Sequence, residues 1–169
     1  MNNIYFSNVS TIGNLYLEYV FYEFENEPIL FLCKDEMDNI YFCLCSDIRY
    51  GQKWIITKCT MDILRKAIEQ KIDIVSVFSH QNKCVVINMD INGNENSFQK
   101  DIKDIDPLDL PKKETYIKCD KIEVKNFLEK IENIYTSVYN CLYKVNENEK
   151  FHYSGIIENE YAELYGEAA

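Results

Sequence analysis

Cysteines, histidines and carboxylates are the residue types in this chain that could do chemistry, and their spacing limits what chemistry is open. Seven cysteines stand at 33, 43, 45, 59, 84, 119 and 141. Cys43 and Cys45 form C-x-C rather than the C-x-x-C of zinc sites, and the two histidines, His80 and His152, lie far apart. Several cysteines sit inside apolar runs, where the residue behaves as a small hydrophobe. Asp104, Asp106 and Asp109 gather in one stretch, but Pro107 intrudes and no glycine provides the sharp turn of a calcium loop. They read as a solvated acidic loop. There is no G-x-S-x-G and no glycine-rich phosphate loop. A Cys–His pair could still meet in space, but His80, next to Ser79, reads as an exposed turn residue.

Asp109 followed by Glu123-Val124-Lys125 imitates the D…E-x-K set of metal-dependent nucleases, in which two carboxylates hold a divalent ion and a lysine orients water. That chemistry requires the three to converge at the end of a sheet. Here Glu123 is the fourth residue of a D-x-x-E capping box that starts at Asp120, and on a helix Glu123 and Lys125 do not face each other. Capping is the preferred role. No catalytic residue, metal ligand or cofactor is assigned.

What remains is charge. The net charge of −10 argues against phosphate-backbone binding, which relies on Lys and Arg displacing counterions. It fits an acidic face that meets a basic protein partner. The acidic and aromatic residues expected to form that face lie in three stretches. They are Asp35, Glu36 and Asp38 in a turn, Asp104, Asp106 and Asp109 in the loop, and Tyr153, Glu158, Glu160, Tyr161, Glu163 and Tyr165 in the tail.

These residues hang on a scaffold centred on Pro28–Cys45. The apolar runs Ile29–Cys33 and Ile40–Cys45 flank the break Lys34–Asn39, which is rich in Asp and Asn. Short apolar runs bounded by turn residues read as strands buried on both faces. Leu15–Phe24 reads as a further strand, although its pattern also allows a helical turn or two. Trp54–Lys58 is another, and Met1–Asn14 reads as a loose lead-in. Thr60 is expected to cap a short helix to Lys71, with Asp73 capping a second turn over Ile74–Phe78. Together they would lay Leu64, Ile68, Val75 and Phe78 on the sheet. Lys83–Ile91 and Asn94–Lys100 read as a hairpin around Asn92-Gly93, a sequence suited to a two-residue turn. Asp101–Lys113, with two prolines, is the candidate boundary. Beyond it, Val124, Phe127, Ile131, Ile134, Val138 and Cys141 mark an amphipathic helix over Lys121–Lys144. It is expected to pack on the same core, and a homodimer through it is the alternative.

The run from Leu15 to Phe78 carries YEFENEPILFLCKDEMDNIYFCLCSD, then WIITK, then a short helix leading into IDIVSVF. In this it resembles an uncharacterised bacterial domain family. Members share an acidic-x-Pro-hydrophobic strand entry, a second strand ending in an acidic residue, and a Trp strand before a helix. The resemblance implies a small α+β bacterial domain. It implies no activity and carries over no functional residue.

The expectation is an α+β fold: a mostly antiparallel sheet of about five or six strands, covered by one short and one long helix. Residues 1–113 would form the sheet core and 114–169 the long helix and tail, as one domain. Met1–Gly13 lacks a basic start followed by an apolar run, and no apolar stretch approaches a membrane span, so a reduced cytoplasmic compartment is expected. The leading functional reading is a non-catalytic acidic interaction protein of bacterial or phage origin, one version of which inhibits a nucleic-acid-handling effector. A small-molecule binding or sequestering protein, with a pocket between sheet and helix, is the second reading. The nuclease is the third.

Overall fold

The computed structural model describes residues 3–120 and 122–133. The chain divides into two compact units, Met1–Lys118 and Cys119–Ala169. The first is a seven-stranded meander: β1 (Ile4–Val9), β2 (Gly13–Phe24), β3 (Glu27–Lys34), β4 (Ile40–Asp47), β5 (Gln52–Cys59), β6 (Lys83–Met89) and β7 (Glu95–Asp101). Each strand pairs antiparallel with the next, in the order β1 to β7. Five of the six connections are short, which favours this arrangement because consecutive strands joined by a tight turn pair with each other; residues 60–82 form the long link from β5 to β6.

The sheet curls until its two edge strands come together as a nearly closed barrel. The Ser10 backbone N–H, just past β1, donates to the Ser97 hydroxyl on β7 at 2.8 Å. The curl has a local cause. The β1–β2 and β2–β3 pairings slip register repeatedly, at Phe6, between Leu17 and Tyr19, and between Val20 and Tyr22. Each slip adds bend and right-handed twist. The β3–β4 pairing runs without a slip from Leu30↔Leu44 to Lys34↔Ile40.

Curling encloses one sheet face within the barrel. Phe31, Cys33, Cys43, Cys45, Trp54, Ile56, Val85 and Ile87 line it. Phe6 of β1 folds over them, edge-on to Trp54 at 5.1 Å and stacked on Phe31 at 6.1 Å. The opposite face is covered in part by α1 (Met61–Ile68) and α2 (Ile74–Ser79). Phe78 of α2 meets Phe42 of β4 edge-on at 5.8 Å. Burial of a residue such as Phe31 or Phe42 is worth roughly 1.5–3 kcal/mol. The caps at Thr60 and Asp73 are present, accepting from the N–H groups of Ile63 and Ser76. The buried helix positions are Met61, Leu64 and Ala67, then Ile74, Val77 and Phe78, so Ile68 and Val75 are only half-buried flanks.

The expected fold class is therefore corrected. The sheet has seven strands, not five or six, and the helices cover little of it. The stretch read as a loose lead-in holds β1. An aromatic-rich strand folded over the concave face does there what a covering helix was expected to do. Residues 114–118 are tied to the first unit rather than starting the second. The Ile74 N–H donates to the Thr115 carbonyl, the Glu114 N–H to Asp73, and the Gln70 side chain to the Ile117 carbonyl.

In the second unit, residues 122–133 are helical and follow the Asp120 cap, whose carboxylate accepts from the N–H groups of Ile122 and Glu123. Val124, Phe127 and Ile131 are its buried positions, at the expected steps of three and four. The remainder of the expected helix Lys121–Lys144, and with it the dimer it was to mediate, lies outside the described residues.

Candidate functional site

A meander places its turns alternately at two rims. The β2–β3, β4–β5 and β6–β7 turns share one, here called the hairpin rim, and the register keeps them level. Leu44 pairs with Leu30 and Ile55, Asp47 with Lys53, and Gln52 with Met89. Exposed large apolar residues concentrate there. Tyr22 and Phe24 end β2, Ile48 and Tyr50 sit in the β4–β5 turn, and Ile91 sits in the β6–β7 turn. Leu108 joins them from the 3-10 turn Pro107–Asp109, which is held to the rim because Asp109 pairs with Lys53 of β5. Tyr50, Ile91 and Leu108 are 87%, 80% and 90% exposed.

The β4–β5 and β6–β7 turns are each fixed by a local device. In the β4–β5 turn, Asp47 accepts from the Arg49 backbone N–H at 2.9 Å and from its guanidinium at 3.1 and 3.2 Å. That bonding holds the Asp47 carboxyl down at about 2. Gly51 then takes φ +113°, with its Cα so close to the Met89 carbonyl that an added Cβ would lie 2.1 Å away. The β4–β5 turn is thereby pressed onto β6. In the β6–β7 turn, Asp90 accepts from the N–H groups of Asn92 and Asn94 and from the Asn94 side chain. Gly93 takes the left-handed position at φ +81°. The loop thus holds three residues between Asp90 and Asn94, not the two expected around Asn92-Gly93. Between the two turns lies a cleft of about 240 Å³ lined by Asp47, Tyr50, Met89 and Asp90, among others.

The rim is acidic. Glu23, Glu25 and Glu27 flank the β2–β3 turn, and Asp47, Asp90, Glu95, Asp106 and Asp109 border the others. Among the described residues of these turns, Arg49 and Lys53 are cations, and each is paired with a carboxylate.

The sequence-derived candidates fall differently. Asp35 is buried and fully used within the β3–β4 turn. It accepts from the N–H groups of Met37 and Asn39, the Asn39 side chain and the Tyr41 hydroxyl. Burial pushes its carboxyl up, and these bonds together outweigh that and hold it below the ordinary value. Asp38 is paired with Lys34 at 3.3 Å. Glu36 is exposed, within reach of the Asn14 and Tyr16 side chains. All three belong to the rim opposite the hairpin rim. Asp106 caps the 3-10 turn through the Leu108 N–H, Asp104 is exposed, and Asp109 is held by Lys53. Tyr153, Glu158, Glu160, Tyr161, Glu163 and Tyr165 lie outside the described residues.

The nuclease set is accounted for locally. Asp109 pairs with Lys53, Glu123 lies in the first turn of its helix, and Lys125 approaches Glu129 at 3.8 Å. Among the described residues no three His, Cys, Asp or Glu side chains gather as a metal site, and no helix is long and apolar enough to cross a membrane. Among the described cysteines, Cys33, Cys43, Cys45, Cys59 and Cys84 are buried and Cys119 is half-buried. Burial pushes the thiols of Cys45 and Cys84 up to about 11 and that of Cys59 to about 12.

Tyr50, Ile91 and Leu108 were not among the sequence candidates. Their one signal was an apolar residue placed beside turn formers, as in Tyr50-Gly51 and Asp90-Ile91-Asn92-Gly93. No protein-family model matches this chain, and no curated protein or solved structure matches it.

Proposed function

We propose that this chain is a non-catalytic interaction protein whose hairpin rim docks on a basic surface of a protein partner. The observation that carries the reading is the grouping of exposed Tyr50, Ile91 and Leu108 within a border of carboxylates. Apolar side chains clustered and rimmed by charge suit a protein interface, with the aromatic residues as anchors. The cleft between Asp47 and Asp90 is suited to an arginine or lysine side chain from the partner. Nucleic-acid-handling effectors offer such basic surfaces. Fixed carboxylates docked on one would occupy positions meant for phosphates, and inhibition would follow.

The test is capture from a bacterial lysate with tagged parent chain and with a Tyr50→Ser, Ile91→Ser variant of matched folding. The expected result is a protein retained by the parent, lost with the variant, and released as salt rises. A captured set that is the same for both chains, or that ignores salt, overturns the reading.

A further inference from the structure

The opposite rim has contrary chemistry. There the barrel opens into a cavity of about 440 Å³, lined by Tyr41 of β4, Ile56 and Lys58 of β5, Lys83 and Val85 of β6, and Gln99 of β7, and overhung by Thr11 and Ile12 of the β1–β2 turn. This volume falls within the range of small-molecule sites. Tyr41, Ile56 and Val85 are buried and belong to the barrel core, so the cavity has an apolar floor. Lys58 follows Ile56 by two residues and Lys83 precedes Val85 by two, so both point to the same face as that floor. Ile56 pairs with Val85. The β5–β6 ladder ends at that pair, and Lys58 and Lys83 both lie beyond it, lining the mouth of the same cavity.

Two like charges brought to the mouth of one cavity repel each other. In a chain of net charge −10 such a pair would be easy to neutralise, yet among the described residues neither lysine is in an ion pair. Of the acidic groups nearby, Asp101 pairs with Lys83 across β6–β7 and approaches Lys103 to 3.9 Å, with both side chains exposed. Asp35 stands behind the Tyr41 hydroxyl and is satisfied by donors of its own turn. Gln99, with Gln81 and Asn82 at the entry to β6, adds amide donors beside the lysines.

We infer that this mouth binds a small oxyanionic molecule, with its phosphate or carboxylate group held between Lys58 and Lys83 and its remainder on the Ile56–Val85 floor. The site lies at the other rim from the docking surface and stands or falls independently of it.

The probes are AMP, for a phosphate, and citrate, for carboxylates, titrated into the full chain by calorimetry with amide chemical shifts recorded in parallel. At least one is expected to bind and to shift the amides of Lys58, Lys83 and Val85. Lys58→Met and Lys83→Met should each weaken that binding by about tenfold or more. Because each substitution removes a like-charge repulsion, the ligand-free variants should melt no lower than the parent. Binding by AMP alone assigns a phosphate ligand, and binding by citrate alone a carboxylate one. No binding of either probe overturns the inference, as does binding that both lysine variants leave unchanged.

Discussion

The Ser10 backbone N–H reaches the Ser97 hydroxyl at 2.8 Å, joining segments 87 residues apart. It links the two edges of the sheet where β1 and β7 form no ladder. A hydrogen bond of this kind contributes about 1 kcal/mol. Ser97→Ala should lower unfolding stability by about that amount, measured in urea. The sharper readout is hydrogen exchange, because the Ser10 amide should lose its protection while amides in β4 and β5 keep theirs. Unchanged protection at Ser10 would mean that the contact does not hold the barrel edges.

That bond also shows where sequence reading ends. The central strands β3, β4 and β5 were legible because their buried runs are continuous, and the β3–β4 pairing runs without a slip. The caps at Thr60 and Asp73 were legible because an N-cap depends on one side chain and the three residues after it. β1 was not, since its register slips break the two-residue alternation and leave Phe6 and Val9 as its buried positions. Curling depends on slips in β2 that no single residue type announces. The acidic stretches were visible, but their roles were not. Asp35 and Asp90 head the similar loops Asp-x-x-Asp-Asn and Asp-x-x-Gly-Asn, and neither sequence says that the first is buried and the second exposed. Lys58 and Lys83 are far apart in the chain, and only the folded barrel brings both to the mouth of one cavity.

Asp35 offers a test of that burial. Its carboxylate ends four hydrogen bonds, including the one from Tyr41. Asp35→Ala leaves those donors unpaired and should cost about 3 kcal/mol. The same change at exposed Asp90 should cost less. Because the folded carboxyl titrates below its ordinary 3.8, its contribution is full above that value and fades as pH falls through the lower folded value. The acid limb of the parent's stability curve should therefore flatten in Asp35→Ala, and an unaltered limb would contradict this account.

The β2–β3 turn places Glu25 at φ +50° and Asn26 at φ +66°, the type I′ arrangement. Glutamate is poorly suited to the left-handed region, where Asn and Gly are favoured. Replacing Glu25-Asn26 with Asn-Gly should stabilise the chain by roughly 0.5–1 kcal/mol, read as a rise in melting temperature. Destabilisation would show that the Glu25 side chain makes a contribution that outweighs its backbone strain.

Thr57 of β5 is buried, and its hydroxyl has no hydrogen-bond partner among the described residues. An orphan hydroxyl costs free energy that a methyl group of similar shape does not. Thr57→Val should leave stability equal or raise it by up to about 1 kcal/mol. A loss of stability on denaturant unfolding would mean that the hydroxyl is satisfied in solution.

Gly51 links stability to the docking surface. Any side chain there must adopt φ +113° and also place its Cβ 2.1 Å from the Met89 carbonyl. Backbone cannot yield as a flexible side-chain tip can, so Gly51→Ala should cost about 2 kcal/mol or more. The strain is relieved most readily by lifting the β4–β5 turn off β6, which would separate Tyr50 from Ile91. Partner capture should then fall further than the loss of folded protein explains. A control of equal stability loss, such as a truncation inside the barrel at Val85, should retain capture in proportion to its folded fraction. If both variants lose capture equally, the packing of these turns serves folding alone and does not set the spacing of the rim.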